Sequence, residues 1–239
     1  MPMEDAAAWA RLRERLLARG RMPALPQGWR HQSAMLSAAG YAYGGDFIVG
    51  DLQESGTRLR TVLVDVCGSG ETAVPAALQF AGALESLIGA VPGADLLRDA
   101  NAYLLRQPSE EAIATAVQLD LDLATGAYLI RSAGHPPALV WSAAERTWRV
   151  DNARGTALGV SETPEVHESS GLLGPGDALM FYTDGVVESR SVDIDAGIVW
   201  LQETARAAYL AGWEGTARRI IDRVDRGDDD RAVLVLARC

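Results

Sequence analysis

The chain has 239 residues, 48% of them hydrophobic and 23% charged, with a formal net charge of -10. That length and apolar content allow one sizeable core and exclude a disordered chain, and the acidic balance argues against a nucleic-acid surface, which needs a basic face to displace counterions. Two cysteines, Cys67 and Cys239, are too few for a disulfide framework, and no apolar run reaches the roughly 20 residues of a membrane span, because 74–91 is interrupted by Gln79, Glu85 and Ser86.

Met3 to Gly20 carries Trp9, Leu12, Leu16 and Leu17 at helical spacing, with Gly20 as a stop, and reads as an N-terminal helix or connector within residues 1–25. The segment is charged and has no signal-peptide core, so a cytoplasmic location is expected. Arginines 11, 13, 15 and 19, and later 218, 219, 223 and 226, read as solvated helix faces. Pro23 and Pro26 break the pattern, and the main domain is expected over 26–239. Strand signal runs from about Ser33 to Val66, with turns at Gly44-Gly45 and at Glu54-Ser55-Gly56. Helices are predicted over 71–90 and 94–105, split by Val91-Pro92-Gly93; Pro75 falls near the start of the first, where a missing N–H is tolerated.

Strands follow at 114–120 and 127–132, joined by a hairpin turn over 122–126, and again at 137–141 and 147–150. A tight turn at 173–177 feeds a strand at 178–183. Helices at 198–211 and 215–225 precede a last strand at 232–237. Hairpins, mid-chain helices and a late return to strand fit an α+β sandwich better than a parallel α/β sheet.

Four aspartates stand out: Asp46 after Gly44-Gly45, Asp65 at the end of Val62-Leu63-Val64, Asp184 after Phe181-Tyr182-Thr183, and Asp229 within Asp228-Asp229-Asp230. A strand that is apolar until its last residue carries an acid to the rim of the core, where several can converge. Converging carboxylates repel one another unless a cation sits between them. Hard oxygen ligands without paired His or Cys favour Mg²⁺ or Mn²⁺ over zinc. Each segment also has a plainer reading: a hairpin turn for Asp184-Gly185, a solvated charge run for 228–230, and a dinucleotide turn for 65–70, whose third glycine would fall at Ala73.

His135, in Ala133-Gly134-His135-Pro136-Pro137, reads as a structural hydrogen-bonding residue, and Cys67 as a small apolar filler; His31 and His167 show no partner pattern. No nucleophile elbow, Walker loop, zinc spacing or kinase signature is present, so hydrolytic chemistry must come from the acids.

In this order, Gly44-Gly45-Asp46-Phe47, Asp65-Val66-x-Gly68-x-Gly70, Ala133 to Pro137, Gly155-x-x-Leu158-Gly159, Pro175-Gly176-Asp177, Tyr182-Thr183-Asp184-Gly185 and Asp229-Asp230 resemble the bacterial phosphatases of the metal-dependent PP2C superfamily, of the stage II sporulation protein E and RsbU type. The resemblance runs from about Pro26 to Arg238. It implies a PP2C-like α/β/β/α sandwich of two antiparallel sheets flanked by helices, with two Mn²⁺ or Mg²⁺ ions at one end. It also implies hydrolysis of phosphoserine or phosphothreonine on a partner protein of the anti-sigma-factor antagonist type. By position, Asp65 would bridge both ions, Asp46 and the Val66 carbonyl would serve one, and Asp184 and Asp229 the other, with Asp230 in reserve for Asp229.

The chain departs from the family at Ser69, where many bacterial members carry Lys or His, and at Ile48-Val49, where Tyr-Asp is frequent. Ser69 keeps one rival open, a pseudophosphatase that binds a partner with little turnover; a second, a hydrolase of small phosphoesters, stays open because loops set the substrate groove. No sensor domain fits before Pro26, so control is expected from a separate protein, from homodimerisation through the first helix, or from metal supply.

Overall fold

Among the described residues ten strands pair into two five-stranded sheets, and every strand pairing is antiparallel. The computed structural model describes residues 22–38, 44–68, 73–108, 112–188, 193–224 and 229–239. In chain order these hold β1 (Trp29–Leu36), β2 (Phe47–Gln53), β3 (Arg58–Val66), α1 (Val74–Ile88), α2 (Gly93–Leu104), β4 (Ala114–Asp122), β5 (Ala127–Ala133), β6 (Leu139–Ser142), β7 (Thr147–Val150), β8 (His167–Leu172), β9 (Ala178–Tyr182), α3 (Ile194–Leu210), α4 (Thr216–Ile221) and β10 (Arg231–Arg238). One sheet has the order β1-β10-β9-β6-β7 and the other β2-β3-β4-β5-β8.

The two-residue period of a strand explains the layering. In β3, Leu59 and Leu63 enter the core between the sheets, while Val62, Val64 and Val66 enter a second core under α1 and α2, built with Phe80, Leu84, Leu96 and Leu97. In β9 and β10, Leu179, Phe181, Leu234 and Leu236 face the other sheet, whereas Met180, Tyr182, Val233 and Val235 pack on Ile198, Leu201 and Ala205 of α3. The result is the α/β/β/α sandwich that the sequence implied. Each fully buried Leu, Val or Phe contributes about 1.5–3 kcal/mol relative to exposure. Three such cores offset the cost of holding acids at their margin.

The predicted elements that fall on described residues are present, the helix expected over 215–225 shortened to Thr216–Ile221, with three further corrections. Strand β8 was not expected: its side chains are Glu168, Ser169, Ser170 and Gly171 between His167 and Leu172, polar and mostly exposed, so it carries no apolar alternation and is held as an edge by backbone pairing to β5. Helix α3 begins at Ile194 rather than 198, because the Asp193 side chain accepts the Ala196 N–H and caps it.

Arg219 is not a solvated face residue. Its guanidinium donates to the Ala208 carbonyl at 2.9 Å and also to the Gly212 and Glu214 carbonyls, satisfying groups that the end of α3 leaves without helical partners. Arg218 does stay exposed, paired to Asp222 at 2.8 Å. The expected helix over 3–20 and its arginines lie outside the described residues, as do Arg226 and Asp228.

Candidate metal centre

Strand parity brings the acids to one place. Asp46 precedes β2 with the parity of Ile48, Asp65 has the parity of Leu63, and Asp230 that of Ala232 and Leu234; all of those apolar residues lie between the sheets. Phe47 stands opposite Val64 and Val233 opposite Tyr182, so the start of β2, the end of β3, the end of β9 and the start of β10 share one end of the sandwich. Asp184 opens a short 3-10 turn over Asp184–Val186 directly after β9.

Gly44 and Gly45 are required by close approach. A Cβ on Gly45 would stand 2.7 Å from the Val66 carbonyl oxygen, and one on Gly44 would collide with the Asp230 carboxylate. Gly45→Ala is therefore expected to push Val66 and Asp46 apart and lower metal-dependent turnover roughly 10–100-fold, measured as kcat against Mn²⁺ concentration.

The carboxylates are electrostatically distressed. Asp46 is 9% exposed; its Oδ2 accepts the Thr183 hydroxyl at 2.8 Å, and its Oδ1 is buried with no hydrogen-bond partner among the described residues. Burial first and the charge of Asp65 next hold the Asp46 carboxyl well above the usual range, against the Thr183 bond that lowers it. Burial, then Asp184, Asp229 and Asp230, push Asp65 up to about 8. Asp184 is raised by burial and then by Asp229, and its Oδ1 is likewise buried without a partner.

Asp229 and Asp230 differ in kind. Asp230 is 3% exposed and its two oxygens accept the Ala38 N–H at 2.9 Å and the Gly45 N–H at 2.6 Å. Its carboxylate thus anchors Ala38 and Gly45 beside the start of β10. Asp229 is exposed and faces Asp65 and Asp184 closely enough to raise both.

These features fit a divalent cation. Two buried carboxylate oxygens, on Asp46 and Asp184, lack partners among the described residues, Asp46, Asp65 and Asp184 are each raised by neighbouring acids, and Asp230 is partly offset by Arg231. The donors are all hard oxygens. As the side chains stand, no group of three or more His, Cys, Asp or Glu among the described residues is arranged to hold a metal ion, so an ion here would take waters as well as carboxylates.

The surrounding residues support the rim. His135 is buried, with Nδ1 2.8 Å from Thr115 Oγ1, and Thr115 lies directly opposite Asp65 across β3 and β4. Burial pushes its imidazole down to about 3 despite the Tyr182 carbonyl nearby, so it is neutral and structural, as its sequence context suggested. Cys67 is exposed rather than a filler of the core, because it lies one residue past the end of β3. Burial, Asp65, Asp184 and Asp229 all raise its thiol, which argues against a nucleophile. Ile48 and Val49 fill the two cores on opposite faces of β2, and Ser69 and Gly70 lie outside the described residues.

Two residues with roles at the rim went unread in the sequence: Thr183 as the donor to Asp46, and Asp230 as the anchor of the Ala38 and Gly45 N–H groups. Strand parity from Phe181 was the one local signal for Thr183, since it places that hydroxyl on the face shared by Asp46 and Asp65.

Comparison with known proteins gives the family and the fold. The profile of the Stage II sporulation protein E (SpoIIE) family matches residues 55–238. Phosphoserine phosphatase RsbU of Bacillus subtilis is 26% identical over 138 residues, which are 56% of this chain and 40% of that protein, so the chain spans two-fifths of that relative. The SiaA-PP2C domain of Pseudomonas aeruginosa superposes with a TM-score of 0.76 at 16% identity, over 98% of this chain and 97% of that one. RsbX in complex with magnesium superposes with a TM-score of 0.67 at 14% identity, over 90% of this chain and 98% of that one. At those identities the two structures speak for the fold.

Proposed function

Because the chain belongs to the stage II sporulation protein E family, we propose that it is a protein serine/threonine phosphatase of PP2C type that depends on two Mn²⁺ or Mg²⁺ ions. The observation that carries this reading is the meeting of Asp46, Asp65, Asp184 and Asp229 at one rim, with buried, partnerless oxygens on Asp46 and Asp184. In this reading Asp65 would serve both ions, Asp46 and the Val66 carbonyl would help hold one, and Asp184 and Asp229 the other. Asp230 serves in this reading as an anchor, through the Ala38 and Gly45 N–H groups its two oxygens accept, rather than as a ligand.

Bound ions supply positive charge to the phosphoryl oxygens and make a nearby water acidic enough to attack. The chain's own part is to orient and to exclude. The acids set the spacing of positive charge, and the buried wall of Ile48, Leu63 and Phe181 keeps bulk water from the rear of the site. Attack by water in line forms one P–O bond as the bond to the serine or threonine oxygen breaks, and that oxygen takes a proton. Ser69 is no cation, so the proton comes from water. The substrate in this reading is a phosphorylated partner protein of the anti-sigma-factor antagonist type, as the resemblance to RsbU implies. No helix among the described residues is long and apolar enough to cross a membrane.

The test is manganese-stimulated phosphate release from para-nitrophenyl phosphate beside release from a phosphorylated antagonist protein. Activity on both is expected. Activity on neither would leave a partner-binding module, and activity on the small ester alone would leave a small-phosphoester hydrolase.

A further inference from the structure

Thr183 lies between β9 and Asp184 and is fully buried, at 0% exposure. Its hydroxyl donates to Asp46 Oδ2 at 2.8 Å and accepts the Ala232 N–H at 2.8 Å, while its own N–H donates to the Ala232 carbonyl at 3.1 Å. A hydroxyl has one proton to give. Since Ala232 brings a proton of its own, the threonine proton is committed to Asp46. One oxygen of that carboxylate is thereby held, and the other, Oδ1, is left buried and without a partner among the described residues. The same side chain ties Asp46, at the head of one sheet, to β9 and β10 of the other, 137 residues away in sequence.

We propose that Thr183 is a positioning residue for the metal centre, fixing the Asp46 carboxylate so that Oδ1 alone faces the ion. This rests on the proposed function above, in which Asp46 is a ligand. A group that donates to a ligating carboxylate orients it and sets how much affinity it delivers, and losing such a partner typically weakens metal binding about 10–100-fold. Asp46 deprived of Thr183 can turn about its side-chain bond, so its oxygen reaches the ion only in part of the population.

The experiment is calorimetric titration of the chelator-treated protein with Mn²⁺, for wild type, Thr183→Val, Thr183→Ser, Asp46→Asn and the Asp46→Asn/Thr183→Val double variant. The expected result is two ions in wild type, one of them bound at least about tenfold more weakly in Thr183→Val, with Thr183→Ser restoring most of the affinity. Thr183→Val also deprives the Ala232 N–H of its partner, so the double variant carries the decision. If Thr183 acts through Asp46, the valine weakens Mn²⁺ binding no further once Asp46 is asparagine.

Should Thr183→Val not fold, Thr183→Cys, with a weaker donor and acceptor, is expected to lie between wild type and Asp46→Asn. Wild-type affinity in Thr183→Val, an equal loss in both backgrounds, or failure of Thr183→Ser to recover would overturn the inference while the phosphatase reading stood. Absence of Mn²⁺ binding in wild type would overturn both.

Discussion

Asp65→Asn and Asp184→Asn are each expected to abolish manganese-dependent phosphate release while the protein stays folded. In the proposed site both carboxylates set the charge that faces the phosphoryl group, and that charge is worth several kcal/mol in the transition state. At about 1.4 kcal/mol per tenfold, the loss is on the order of a thousandfold or more in kcat. Stability moves the other way. Each substitution removes one of several buried charges that raise one another, so in chelator at pH 8 both variants should melt at or above the wild-type temperature. Turnover at the wild-type rate in either variant would take that residue out of the site. A melting temperature well below wild type would mean that the carboxylate serves the fold instead.

Without metal, the protein should lose stability as the pH rises from about 6.5 to about 8. Asp65 is pushed up to about 8 in the fold, chiefly by burial, and returns to about 3.9 when unfolded. Between those values the folded form holds a proton that the unfolded form has released, so unfolding becomes easier as pH rises. The raised carboxyls of Asp46 and Asp184 act in the same direction.

His135 acts in the opposite direction. Its imidazole falls to about 3 in the fold, so it adds stability as pH climbs to 6.5, its unfolded value, and nothing beyond. The window above pH 6.5 therefore isolates the acids, with a slope of up to about 1.4 kcal/mol per pH unit for each proton involved. Denaturation in chelator at pH 6.5 and 8 would measure it. Asp65→Asn should flatten the slope, and Mn²⁺ at about 100 times its dissociation constant should restore roughly 2.7 kcal/mol at pH 8. A metal-free protein equally stable at both pH values would contradict the mutual repulsion of these acids.

The layered fold was legible because most strands of this sandwich are apolar on both faces or alternate cleanly. Val62-Leu63-Val64 and Val233-Leu234-Val235 announce strands without any knowledge of what covers them. Strand β8 was illegible for the converse reason: an exposed edge needs no apolar side chains, and its pairing to β5 is made by the backbone. The acids at the rim were legible as types, since Asp65 closes an apolar strand and Asp46 follows two glycines. Their division of labour was not. Asp229 and Asp230 are neighbours of identical chemistry, and only the N–H groups of Ala38 and Gly45, 192 and 185 residues from Asp230, set the buried anchor apart from the exposed Asp229, whose Oδ1 accepts the adjacent Asp230 N–H at 2.8 Å.

From the order of its apolar residues and the residues that interrupt them, this chain alone determines its strands, its helices and the four carboxylates that meet at a sheet end, because side-chain period and turn chemistry act over a few residues. Tertiary structure alone decides that one oxygen of Asp46 and both oxygens of Asp230 are tied. Those hydrogen bonds join Thr183 to Asp46 and Asp230 to Gly45 across two packed sheets, and sheet register and close glycine contacts set them where no local propensity reaches.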